Sequence, residues 1–161
     1  MTREALRSIP EGAYRYVDFN DNDGIELGKP IRFEVAVTVR DGNFHVDFTG
    51  SSPKVRGPFN AVPSGALAAA CFAIRAVTDP SIPTNAGCFR PVSLTPAEFD
   101  RQSTPPAAVN ARTSTIKRMA GCILGALRPV IPAKVPADST GEMLAIMFGG
   151  LRQSGTPFVV H

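Results

Sequence analysis

The chain has 161 residues, 43% hydrophobic and 19% charged, with a formal net charge of +3. That is the make-up of one ordinary globular domain, 1–161, with a core of its own; the charge is too small to imply nucleic acid, and the aromatic residues show no basic interleaving. No apolar run nears the ~18 residues that cross a bilayer, and the opening MTREALRSIPEG lacks the apolar stretch of a secretory signal, so a cytoplasmic protein with no membrane partner is expected.

Tyr14 to Phe19 reads as a short strand, ended by the polar turn Asn20-Asp21-Asn22-Asp23-Gly24. The clearest signal follows. Ile31, Phe33, Val35, Val37 and Val39 alternate with polar or small residues, and Asp41-Gly42 is a two-residue turn of type I′ preference, giving a hairpin over about 31–49. With Arg40 facing Asn43, Val39 meets Phe44, Val37 meets Val46 and Val35 meets Phe48, so the apolar residues share one face. His45 opposite Thr38 and Asp47 opposite Ala36 make the other face wetter.

The hairpin runs into a loop, Gly50 to Asn60, crowded with glycine, proline and serine, and then into an apolar helix over about 63–78. A loop held between two buried elements is where functional groups are placed. Pro63 suits the first helical turn, and Arg75 is the only charge from Ser64 to Val77. A helix apolar on nearly all sides must be covered by other elements.

Pro80, Pro83 and Pro91 punctuate the next connection, Phe89 to Leu94 reads as a short strand, and Ala97 to Thr104 is irregular. A second helix over about 113–131 carries Ile116, Met119, Ile123, Leu124, Leu127 and Ile131 at helical spacing, with Pro129 and Pro132 closing it. Gly121 and Gly125 in it suggest close packing against a neighbouring backbone. Met143 to Phe148 and Pro157 to Val160 read as strands separated by a turn at Gly149-Gly150-Leu151. The expected class is α+β: an antiparallel sheet built on the hairpin and packed against two helices.

The chemistry offered by the residues alone is sparse. Asp18 to Gly24 resembles a calcium loop but places its glycine out of frame, which leaves a solvated turn. His45, Asp47 and Ser51 do not make a triad, because neighbours two apart on a strand project in parallel. Two histidines without a ligand grouping argue against a metal site. Cys71, Cys88 and Cys122 lack CxxC spacing and read as reduced, small hydrophobes. The loop at Gly50 to Gly57 lacks the Gly-Lys-Ser/Thr ending of a phosphate loop. Arg112, Lys117 and Arg118 beside Thr113 form either an anion site at a helix start or an ordinary solvated cluster.

Together, GAYRYVDFNDNDG (12–24), VDFTGSSPKVRGPFN (46–60), IPTNAGCFRPV (82–92), VNARTSTIKRMAGCILGAL (109–127) and GEMLAIMFGG (141–150) resemble the hydantoinase B/oxoprolinase family. Lys54 stands where the family usually carries glutamine, and Pro96-Ala97-Glu98-Phe99 where it usually reads Pro-Glu-Gly. The resemblance implies a central portion of a longer chain, and a module of an ATP-dependent cyclic-amide hydrolase (hydantoinase or 5-oxoprolinase type) that is inactive alone. It also implies ATP on a hydantoinase A-type partner subunit, a divalent metal elsewhere in the full-length family chain, and a homo-oligomer. On it, Asp47, Ser51, Arg56, Asn60, Asn85, Arg90, Arg112, Thr113 and Lys117 are candidates for substrate positioning or subunit contact, although Asn60 and Asn85 also suit turn capping. The alternative is a non-catalytic subunit-interaction or oligomerisation module.

Overall fold

A computed structural model describes residues 1–96, 107–109, 111–139, 141 and 148–160. The elements in order are α1 (Thr2–Arg7), β1 (Gly12–Asn20), β2 (Ile31–Arg40), β3 (Asn43–Asp47), α2 (Pro63–Val77), a 3₁₀ turn (Ala86–Phe89), β4 (Val92–Thr95), α3 (Arg112–Leu127), β5 (Phe148–Leu151) and β6 (Pro157–Val160). The expected strand Met143 to Phe148 lies outside the described residues up to Phe148, as does the whole of Ala97 to Thr104.

The hairpin has the register read from its sequence: Arg40 faces Asn43, Val39 faces Phe44, Thr38 faces His45, Val37 faces Val46 and Ala36 faces Asp47. Its turn takes positive φ at both residues, 51° at Asp41 and 68° at Gly42, as a type I′ turn requires. A side chain at Gly42 would also meet the Arg3 carbonyl of α1 at 2.8 Å, so glycine serves both the turn and the docking of α1. Phe33, Val35, Val37, Val39, Phe44, Val46 and Phe48 are buried together on one face. Against them pack α2, through Ala66, Ala69, Ala70, Ala73 and Ile74, and α3, through Met119, Cys122, Ile123 and Leu127.

The α+β class holds, but the sheet is mixed. It runs β1-β2-β3-β4, antiparallel except for the last pair, in which Phe44 to Asp47 lie parallel to Val92 to Thr95. A parallel neighbour needs a long crossover, and the Gly50–Asn60 loop, α2 and the 3₁₀ turn supply it. Pro91, which has no N–H, sits just before β4 and uses its carbonyl to accept from Phe44 N–H at 2.8 Å.

Three local expectations change. The second helix ends at Leu127 rather than near 131, because Pro129 cannot continue it and the chain proceeds through turns. Gly149 to Leu151 belong to β5, and the turn falls at Arg152 to Gly155, where Gly155 takes φ 78°. The small residues of α3 meet side chains rather than backbone: a Cβ at Gly125 would lie 2.9 Å from the Tyr16 ring, and one at Gly121 would lie 3.3 Å from Asp138 Oδ1.

The two faces of the hairpin should respond oppositely to truncation. Phe44→Ala, on the core face, is expected to cost about 3–5 kcal/mol in urea unfolding, and Thr38→Ala, on the other face, within about 0.5 kcal/mol. Equal losses at both sites would contradict the register.

Candidate functional site at the crossover loop

Where β3 turns away after Asp47, the backbone of β2 still needs partners, and the loop supplies them. Ser51 Oγ accepts from Glu34 N–H at 3.0 Å and donates to Glu34 O at 3.1 Å. Ser52 Oγ accepts from Arg32 N–H at 2.8 Å, and Ser52 N–H donates to Arg32 O at 2.9 Å. These hydroxyls stand in for a missing strand, so Ser51 is engaged with backbone.

Two buried polar side chains fix the rest of the loop. Asp23, 3% exposed, accepts from Ile25 N–H at 2.9 Å and Glu26 N–H at 2.6 Å on one oxygen, and from Gly57 N–H at 2.8 Å on the other. The expected solvated turn is thus an anchored one. The N–H groups of Glu26, Gly57 and Ile25 hold this carboxyl at about 2, against an ordinary value of 3.8. Gly57 is required there, because a Cβ would lie 1.8 Å from the Asp23 carbonyl oxygen.

Asn60 is fully buried. Its Oδ1 accepts from Val55 N–H at 3.0 Å, and its two Nδ2 hydrogens are shared among the carbonyls of Val55 at 2.9 Å, Gly57 at 3.1 Å and Ala108 at 3.0 Å. Ala111 N–H donates to Pro58 O at 2.9 Å and Thr115 Oγ1 donates to Phe59 O at 2.5 Å, which seats the loop on the first turn of α3. Asn60 therefore organises the loop, and Asn85 does similar work elsewhere, accepting from Gly87 N–H at 2.8 Å to cap the 3₁₀ turn.

The cations at the start of α3 divide. Arg118 pairs with Asp18 of β1 at 2.7 Å and donates from Nε to Asn20 Oδ1 at 3.3 Å, so a carboxylate of this chain already answers it. Among the described residues, Asn20 Nδ2 is buried without a hydrogen-bond partner. Thr113 and Lys117 are exposed on α3, and Lys54 and Arg56 on the loop, while the Arg112 side chain lies outside the described residues. Arg56 and Asn60 thus lie on the crossover loop and Thr113 and Lys117 on the helix it is seated on, where Lys117 lines the groove between α3, α2 and Pro136 to Ser139. The other candidates lie elsewhere. Asp47 is on the outer sheet face, where burial raises its carboxyl but the Thr49 hydroxyl and N–H outweigh this and hold it below the usual range. His45 bridges Ser93 Oγ at 2.8 Å and Thr95 Oγ1 at 3.2 Å, contacts that leave Ser51 out of any triad. Arg90 and Asn85 line, with Arg3, a separate cleft of about 540 Å³.

Sequence reasoning sets Asp18 to Gly24 aside as a solvated turn and places Arg118 in a basic cluster, and misses that these residues anchor the loop and α3; only the unusual density of Asn and Asp from 18 to 23 signals it. The cysteines are free, with Cys88 and Cys122 buried; burial, with Asp18 nearby, pushes the Cys122 thiol up to about 12, an inert sulfur. Among the described residues there is no group of three or more His, Cys, Asp or Glu side chains that could hold a metal ion. No step is therefore derived through a metal held here.

Around this buried, backbone-tied loop and the start of α3, Lys54, Arg56, Thr113 and Lys117 are exposed. The chain belongs to the Hydantoinase B/oxoprolinase family, which it matches over residues 1–161. It is 33% identical over 140 residues to an uncharacterized protein of Methanocaldococcus jannaschii, covering 86% of this chain and 24% of that one. To 5-oxoprolinase 1 of Arabidopsis thaliana it is 31% identical over 135 residues, covering 83% of this chain and 10% of the relative. The fold matches an ATP-dependent caprolactamase from Pseudomonas jessenii (TM-score 0.72, 24% identity, 83% of this chain and 23% of that one) and an acetone carboxylase (TM-score 0.78, 18% identity, 99% and 24%). The chain spans a quarter or less of the length of these proteins.

Two substitutions test the clamp. Asp23 in the folded chain titrates near 2 rather than 3.8, so the stability it contributes is complete above the ordinary value and is lost as pH falls from about 4 towards about 2. Melting temperatures across that window should fall more steeply for the unmodified chain than for Asp23→Asn. Asn60→Asp, which brings a carboxylate up to buried carbonyls, is expected to cost more than about 3 kcal/mol in chemical unfolding.

Proposed function

We propose that this chain is a module of an ATP-dependent cyclic-amide hydrolase of the hydantoinase B or 5-oxoprolinase type, and that it turns nothing over alone. The observation that carries the reading is the match to the family over the whole chain, joined to a span of only about a quarter of the relatives' length. In ring opening, the amide C–N bond breaks while water supplies hydroxyl to the carbonyl carbon and a proton to the nitrogen. The hydroxyls of Ser51 and Thr115 are spent on backbone, and His45 lies apart on the sheet face. What the loop and α3 offer instead is orientation: Lys117 and Arg56 as donors to an amide or carboxylate oxygen, with Thr113 beside them. Polarisation of the amide by phosphoryl transfer would come from a hydantoinase A-type ATP-binding partner subunit, and the chain is read as working in the cytoplasm and in an oligomer.

The test is a chimera in which the matched stretch of the A. thaliana 5-oxoprolinase 1 is replaced by this chain. ATP-dependent opening of 5-oxoproline by the chimera, with none by the isolated chain, is the expected result. A lone charged donor contributes about 1.5–3 kcal/mol, so Lys117→Ala or Arg56→Ala should lower kcat/KM of the chimera about tenfold or more without shifting its melting temperature. Ordinary enzymatic turnover by the isolated chain would overturn the proposal.

A further inference from the structure

The helix α2 is apolar on both sides, and among the described residues it is covered on one of them. Gly65, Ala66, Ala69, Ala70, Ala73, Ile74 and Val77 face the core. The opposite stripe, at helical spacing, is Leu67, Ala68, Cys71 and Phe72, with Leu67 44% and Phe72 60% exposed. Leucine and phenylalanine on the outward stripe, opposite an inner stripe mostly of glycine and alanine, are unusual for a surface helix. Beside it runs a groove of about 540 Å³ between α2, α3 and the segment Pro136 to Ser139; Ala68, Phe72, Ile116, Ala120 and Leu124 make its apolar wall, and Lys117, Asp138 and Ser139 also line it. Its small residues permit close approach of a backbone, and its ridge spacing suits a helix.

We propose that this groove seats an apolar helix face from the part of a hydantoinase B-type polypeptide that this chain does not span. The relatives' length makes that the fitting occupant: three quarters or more of each lies outside the matched region. The inference rests on the reading of this chain as one module of such a protein, though not on the reaction assigned to it.

Cys71 reports on the stripe, since it is half-buried there while Cys88 and Cys122 are buried in the core. In the isolated chain, maleimide should label Cys71 and spare the other two, as read by mass of the peptide. In the 5-oxoprolinase chimera, or on mixing the chain with that enzyme lacking the matched stretch, Cys71 labelling should slow at least tenfold. Phe72→Glu should leave the melting temperature of the isolated chain unchanged and abolish protection on mixing. Equal labelling in both formats overturns the proposal, and so does a mass by light scattering showing that a second copy already protects Cys71 in the isolated chain. If the chimera is insoluble the mixing experiment decides, and no protection there counts against it. A chimera that protects Cys71 but opens no ring removes the reaction and leaves the docking surface standing.

Discussion

The placement of the crossover loop depends on the side chain of Asn60. An amide with no exposure to water, its oxygen taken by one N–H and its hydrogens shared by three carbonyls, stitches residues 55 and 57 to residue 108. Such a group cannot be replaced by an apolar residue without leaving backbone polar atoms unsatisfied. Asp23 closes the same loop from the opposite side through Gly57, so the segment is held without regular secondary structure of its own. That is how a segment rich in glycine, serine and proline keeps Lys54 and Arg56 exposed at a fixed place in the fold.

The hairpin, its turn, the starts of both long helices and the α+β class were legible because each rests on local signals: alternation of period two, Asp-Gly, and apolar recurrence at helical spacing. The strand expected over Phe89 to Leu94 is present as β4, shifted to Val92–Thr95 behind Pro91, but its parallel pairing was not legible, since that is settled by what crosses over rather than by the strand's own residues. Asp23 looked solvated because a run of Asn and Asp ordinarily is; its burial depends on Gly57, 34 residues on. Likewise, Arg118 reads as part of a basic cluster until β1 brings Asp18 beside it, 100 residues away in sequence. Long-range polar pairs of this kind leave no period to read.

The candidate residues taken from family resemblance separate along the same line. Asn60 and Ser51 are bound up in holding backbone, whereas Arg56, Thr113 and Lys117 are exposed around the seated loop. On the proposed function these exposed groups would be the donors, in a chain that matches its family throughout while spanning a fraction of its relatives. The half-covered α2 fits the same picture, for a helix apolar on both sides is most stable when both are packed.

Amide hydrogen exchange at the crossover loop is the most direct measurement. Pinning by Asn60 and Asp23 predicts that the N–H groups of Val55 and Gly57, both bonded to those side chains, are protected to a degree comparable with Val37 in the sheet. Exchange at Val55 and Gly57 as fast as at an exposed turn residue such as Gly28 would contradict it.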